Sequence, residues 1–170
     1  MTDDRSGVID GAQRQAAEYR AGAERPLGGY LVLIAAFAAV VAAAAGAAAA
    51  TRRTPPSGLR VFDVVLLTAA THKVSRTLTK DSVTSPLRSP FTRFAEQSGP
   101  SEVNEEVRKP DQTRHALGEL LTCPFCLDLW VATGFAIGMV FAPATTRWVA
   151  TTFSVLAGAD FLQLYYSKLQ

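Results

Sequence analysis

GYLVLIAAFAAVVAAAAGAAAA, Gly29 to Ala50, sets how the rest of the chain is read. It runs 22 residues without a charge. At about 1.5 Å per helical residue that is about 33 Å, enough to cross a hydrocarbon core of about 30 Å. A soluble chain would interleave apolar and polar positions with a helical or strand period. Here the apolar residues come in blocks with the charges between them. Alanine fills the second half, so partition into lipid is weaker than for a leucine-rich span. A cleaved signal sequence is the rival reading. Against it, the leader is long and carries acidic residues, and the apolar block exceeds a usual signal core. The stretch is therefore expected to be a retained anchor. Its Ala/Gly surface would let another helix approach closely.

Outward from the anchor, residues 1–28 are polar and charged and are expected to form a disordered cytoplasmic tail, with a short Ala-containing helix around Gln13 to Arg20 as the alternative. On the other side, Arg52, Arg53, Pro55, Pro56 and Gly58 make a breaker loop. Val61 to Thr71 is too short to span alone and includes Asp63. Continued to Thr79 it can cross, with His72, Lys73, Arg76 and Lys80 snorkelling to one interface. A polar connector occupies residues 81–116. Leu120 to Pro143 reads as the next span, broken only by Asp128, and Ala144 to Arg147 as a turn. Trp148 to Tyr166 reads as the last span, with Asp160 inside it and Tyr165, Tyr166 and Lys168 as an interfacial anchor.

The expected fold class is thus all-α: an integral membrane helix bundle of four transmembrane spans. A three-span alternative leaves the Val61 segment uncrossed. The domain reading is a tail at 1–28, an anchor at 29–50, and a core at 59–168. That core holds three membrane helices and the connector. Lys and Arg flank the connector densely, at Lys73, Arg76, Lys80, Arg88, Arg93, Arg108, Lys109 and Arg114, while the turn before the last span holds only Arg147. The positive-inside rule puts the connector in the cytoplasm, and with four spans both termini as well. Arg52, Arg53 and Arg60 then lie outside, which the three-span alternative avoids. The location read from this is a bacterial cytoplasmic membrane, crossed several times. The net charge is only +2, so no nucleic-acid partner is expected. The expected partners are the lipid bilayer, a second copy of the chain, or another membrane protein.

Cys123-Pro124-Phe125-Cys126 is the sharpest local motif. Proline disfavours an α conformation at the residue before it and suits the first helical position. Cys123 is therefore expected to cap a helix, with Cys126 in its first turn. A helix N-terminus favours a thiolate, which suits a redox dithiol at Cys123 and Cys126. The same spacing is half of a zinc site. The two histidines, His72 and His115, could complete four tetrahedral ligands for zinc with the cysteines. The third reading is that the pair simply packs the helix start. Two cysteines do not make a secreted disulfide framework.

Arg76 lies among His72, Lys73 and Lys80 on one helix face. An ionisable residue inside a span usually faces the bundle, so Asp160 is the expected ion-pair partner of Arg76, with Asp128 second. Asp63 and Arg147 sit near span ends and could pair likewise. In SPLRSPFTRF, Ser85 to Phe94, the residues Leu87, Arg88, Phe91, Arg93 and Phe94 read as a membrane-interface segment or an ordered loop. Gly134 and Gly138 make a GxxxG pair, and Ser154 and Gly158 a small-xxx-small pair, that permit close helix contact.

The runs THKVSRTLTKDSVTSPLRSPF (Thr71 to Phe91), GELLTCPFCLDLWVA (Gly118 to Ala132) and AGADFLQ (Ala157 to Gln163) resemble a bacterial membrane protein family catalogued as domain of unknown function 1360. A sporulation-associated membrane protein of bacilli is similar to it. The resemblance covers about residues 61–165 and rests on Arg76, Asp81, Pro86, Arg88, Phe91, Gly118, Glu119, Leu120, Cys123, Cys126 and Trp130. In the family pattern glycine is usual where Asp128 stands. The resemblance implies membrane topology and no reaction.

No nucleotide loop, Ser-His-Asp arrangement or paired-carboxylate hydrolase pattern is visible. The leading expectation is a non-enzymatic accessory or interaction protein of the cell envelope. The enzyme alternative is a membrane thiol oxidoreductase, or a metal-binding protein, using the Cys-Pro-Phe-Cys pair. A small transporter subunit, suggested by Asp160 and Arg76, ranks last.

Overall fold

The computed structural model describes residues 3–58 and 60–169. The start of the core expected at residue 59, and the first two residues of the tail, lie outside them. Among the described residues there are seven α-helices: α1 (Asp3–Arg20), α2 (Leu27–Ala50), α3 (Val61–Lys80), α4 (Ser85–Arg88), α5 (Gln112–Thr122), α6 (Pro124–Phe141) and α7 (Pro143–Ser167). Two strands, β1 (Thr92–Gly99) and β2 (Glu102–Val107), pair antiparallel. The chain is mostly helical, but all-α does not hold.

Four long helices make the body. α3 is central and packs along α6 and α7, while α2 packs on α5 and, less extensively, on α6. Leu66 and Ala70 of α3 meet Ala150 of α7 in a small core, flanked by Leu67, Phe135 and Phe153. Ser154 of α7 donates to the Leu66 carbonyl at 2.7 Å, which ties the two backbones. Close approach of α6 and α7 needs Gly138, because a Cβ there would lie 2.5 Å from Thr146 Oγ1. A Cβ at Gly134 or Gly158 would meet nothing within 4 Å, so neither glycine is needed for helix contact within the described chain.

Direction alternates along the four helices. At one end, Gly28 N–H donates to Gln112 Oε1 at 2.9 Å, Tyr30 donates to Glu119, and Lys73 meets Asp160 at 2.8 Å. At the other end, Arg53 donates to the Phe141 carbonyl and Arg147 donates to Asp63 at 2.8 Å. The connector lies wholly at the first end.

Of these helices, two are long and apolar enough to cross a membrane: α2 and α6. α3 and α7 have the length, but α3 carries Asp63, His72, Lys73, Arg76 and Lys80, and α7 mixes Arg147, Asp160 and several threonines into its apolar residues. Four spans are therefore not established by length and apolarity. The apolar face of α2 is not covered by the rest of the chain: Leu31 and Ile34 are 67% and 64% exposed.

Local details also differ from the sequence reading. Where a disordered tail is expected, Asp3 to Arg20 is a helix, longer than the Gln13-to-Arg20 alternative and consistent with its Ala, Gln, Arg and Glu content. It ends where Ala21 and Gly22 take positive φ. The turn before the last helix is a single non-helical residue, Ala142, and Ala144 to Arg147 already belong to the first turns of α7. The run from Leu120 is broken at Cys123, between α5 and α6.

Candidate functional site

The connector folds into a platform on the C-terminal end of α3. After Asp81 a 3-10 turn and α4 reverse the chain, and the β1–β2 hairpin returns it across a turn at Pro100–Ser101. Ser101 takes φ +63° there. Val103, Glu105 and Val107 alternate on one side of β2, and this side faces the bundle more than its neighbour Glu106 does.

Arg88 anchors this platform. Its side chain is fully buried and meets a Glu105 carboxylate that is 5% exposed. Nε and Nη2 donate to the two Glu105 oxygens at 2.9 Å each, a bidentate pair. Nη1 donates to the Leu78 carbonyl at 2.9 Å and to Thr84 Oγ1 at 2.6 Å, and the second Nη2 hydrogen is shared between the Asp81 carbonyl at 3.0 Å and Ser85 Oγ at 3.1 Å. The Leu78 carbonyl belongs to the last turn of α3, so Arg88 also satisfies a helix end that would otherwise be orphaned. Glu105 further accepts from Thr92 at 2.7 Å and from Ser85 at 3.0 Å. Burial pushes the Glu105 carboxyl up, but the hydrogen bonds from Arg88, Thr92 and Ser85 outweigh it and hold the group below its ordinary range. Removing one member of such a pair leaves a buried charge alone, at a cost of about 3–5 kcal/mol.

Arg88 is thus corrected from an interface residue to the buried centre of the connector. The rest of the expected interface segment divides. Leu87 and Phe94 are exposed, 64% and 70%, as is Val83. Arg93 is exposed and Phe91 half-buried.

Arg76 does not reach Asp160. It forms a bidentate contact with Glu102 at the start of β2, at 2.6 and 2.8 Å. Asp160 instead takes Lys73 at 2.8 Å, and Lys73 also stands 3.9 Å from Asp81. Arg76 follows α3 toward the hairpin, where a carboxylate on the connector is nearer than one on α7. Asp63 and Arg147 do pair, at the opposite end.

Cys123 caps α6, and its sulfur accepts the Cys126 N–H at 3.2 Å. The two sulfurs are joined as a disulfide, with Cys126 exposed and Cys123 half-buried. Neither histidine joins them: His115, buried on α5, lies 3.4 Å from Glu119, and His72 faces a cleft beside α2. Among the described residues no group of three or more His, Cys, Asp or Glu side chains could hold a metal ion. The donor set expected for zinc is not assembled.

Glu119 and Gly118 are used structurally. Glu119 gathers Tyr30, Arg25 and His115, which fastens α2 to α5. A Cβ at Gly118 would lie 2.5 Å from Val107 Cγ1 and 3.1 Å from the Phe91 carbonyl, so the hairpin can seat on α5 only over a glycine. The sequence reading missed Glu102, Glu105 and Thr92. Their signal was the acidic and hydroxyl content of a connector facing many Arg and Lys residues.

A helical body with two strongly apolar helices and a charge-clamped connector defines the class, and the chain belongs to the DUF1360 family, proteins of unknown function, whose model matches residues 66–166. That range holds the Arg88 platform, the cysteine pair and Asp160. Over 108 residues the chain is 29% identical to a Bacillus subtilis (strain 168) protein named sporulation protein YjcA, covering 62% of this chain and 91% of the relative. No solved structure matches.

Proposed function

We propose that the chain is a multi-pass membrane protein of the bacterial cell envelope and a non-enzymatic accessory or interaction component, with α2, α3, α6 and α7 as four spans. The observation that carries this is the alternation of the four helices, with the whole connector at one end. Support comes from the uncovered apolar face of α2, where Leu31 and Ile34 are open, and from the length and apolarity of α2 and α6. The charges of α3 and α7 fit spans because they lie toward the ends or pair within the bundle: Asp63 with Arg147, and Lys73 with Asp160. The connector and both termini then face the cytoplasm, by the Lys and Arg counts. Val83, Leu87 and Phe94 would rest in the headgroup region. The Bacillus relative is named as a sporulation protein; the envelope role proposed here rests on the helices of this chain.

The platform is the surface offered to a partner, either another membrane protein or a second copy. A photo-crosslinking residue at the exposed Gln97 is expected to give one defined protein adduct in cells, while one at Leu31, on the lipid face of α2, gives none. No adduct from any exposed hairpin position would reject the interaction role.

The closed Cys123–Cys126 pair favours a second reading, thiol–disulfide exchange. A partner dithiol would be oxidised to its disulfide while Cys123 and Cys126 take up its two electrons and two protons. The cytoplasm keeps thiols reduced, so exchange there requires a pair that cycles. Alkylation of the thiols after equilibration with glutathione tests it. A pair that changes state across the glutathione range supports exchange, and one that stays closed throughout is a structural staple.

A further inference from the structure

A cleft of about 1100 Å³ lies between α2, α3 and α6. Its origin is in the sequence of α2. Ala44, Ala45 and Ala48 form one wall, and side chains of one carbon do not fill the space to α3 and α6. The other walls are apolar as well, with Val64 and Leu67 on α3 and Phe135 and Val140 on α6. On α6 the lining extends from Asp128 to Phe141, which at about 1.5 Å per residue is about 20 Å. That length suits a hydrocarbon chain, since one leaflet is about 15 Å deep.

The connector end of the cleft is polar, with His72 on α3 and Asp128 on α6. Asp128 Oδ1 is buried without a hydrogen-bond partner. The ion pairs among the described residues leave Asp128 out, although Lys73 and Arg76 on α3 are both engaged. A carboxylate in a nearly apolar cleft is costly unless a donor, preferably a cation, comes to it. Asp128 lies four residues after Pro124, the first residue of α6, so about 6 Å along the helix. That is headgroup depth for a span starting at Cys123.

We propose that this cleft binds one aminophospholipid, with an acyl chain laid along α2 and α6 and its primary ammonium donating to Asp128. The phosphate then lies toward His72. The ammonium supplies both the N–H and the positive charge that Asp128 lacks. A quaternary ammonium has the charge without the N–H, and a glycerol headgroup has the hydroxyl without the charge. The inference rests on the membrane reading above, and the test separates the two.

Full-length protein is reconstituted with equal amounts of phosphatidylethanolamine, phosphatidylcholine and phosphatidylglycerol, and the lipid retained is read by native mass spectrometry. A charge-assisted hydrogen bond of about 1.5–3 kcal/mol leads us to expect phosphatidylethanolamine retained at least about tenfold over phosphatidylcholine. Asp128→Asn is expected to bring the two within about twofold. Ala136→Trp, which fills the cleft without touching the carboxylate, is expected to remove retention of all three. Insertion into the bilayer with equal retention of the three lipids, or a preference unchanged in Asp128→Asn, overturns the cleft as a lipid site and leaves the membrane reading standing. A chain that does not insert overturns both.

Discussion

Arg88 is fully buried and Asp128 is half-buried with one oxygen, Oδ1, shut off from water, and their surroundings are opposite. Arg88 has two carboxylate oxygens, two carbonyls and two hydroxyls within hydrogen-bond distance. Asp128 has a buried oxygen with no partner. The first environment comes from one folded segment, residues 78–105, whose members are brought together by a short chain reversal. The second comes from three helices meeting where one of them, α2, presents mainly alanine. A buried charge whose donors and acceptors are complete holds a fold in place. One left incomplete beside an open cleft marks where something from outside the chain can bind.

The sharpest way to break that contrast is Arg88→Ala. It should cost about 3–5 kcal/mol and release the hairpin, seen as loss of hydrogen-exchange protection across β1 and β2. Asp128→Asn, by contrast, should leave the melting temperature of the chain unchanged or raised, because it removes a charge without breaking a pair. Acid should act on the same centre. Glu105 is held below its ordinary range, so the stability it contributes is complete above the ordinary glutamate value of about 4.3 and is lost as pH falls through its lowered folded value. Exchange protection of β1 and β2 followed downward from pH 6 should fall in that window, and the Glu105→Gln variant should show no such step.

A smaller effect is expected where the platform meets α5. Gly118→Val forces a side chain into Val107 and the Phe91 carbonyl and should cost about 1–3 kcal/mol by overpacking, read from the thermal midpoint. The smallest belongs to Arg76 and Glu102. Arg76 is 46% exposed, so a double-mutant cycle should give a coupling below about 1 kcal/mol. The same cycle on Arg76 and Asp160, which share no hydrogen bond, should give a smaller coupling still.

The sequence made some of this legible. The α2 and α6 blocks stand out because lipid-compatible runs need no partner to be recognised. The helix start at Cys123 follows from proline's restriction of its predecessor and is present in the structure. The hairpin was not legible. TRFAEQSG carries no clean alternation, and EVNEEV places a glutamate, Glu105, on its inward side between two valines. That alternation makes sense only once Arg88 is known to lie beneath it. The partner of Arg76 is not legible for a related reason: charges inside spans point to other spans, and the nearer carboxylate, Glu102, sits on a connector expected to be irregular. The zinc donor set failed because His72 and His115 share the connector end of the bundle but belong to faces turned toward different neighbours, α2 and α6 for one and Glu119 for the other.

The arrangement in the membrane is tested most directly by single cysteines at Ser57 and Ser98, each in a Cys123→Ala/Cys126→Ala background. Both positions are exposed, one in the loop before α3 and one on β1. With four spans and a cytoplasmic connector, an impermeant maleimide should label Ser57→Cys on intact cells and Ser98→Cys only after permeabilisation. Labelling of Ser98→Cys on intact cells would contradict the orientation, and protection of both until permeabilisation would show that α3 does not cross.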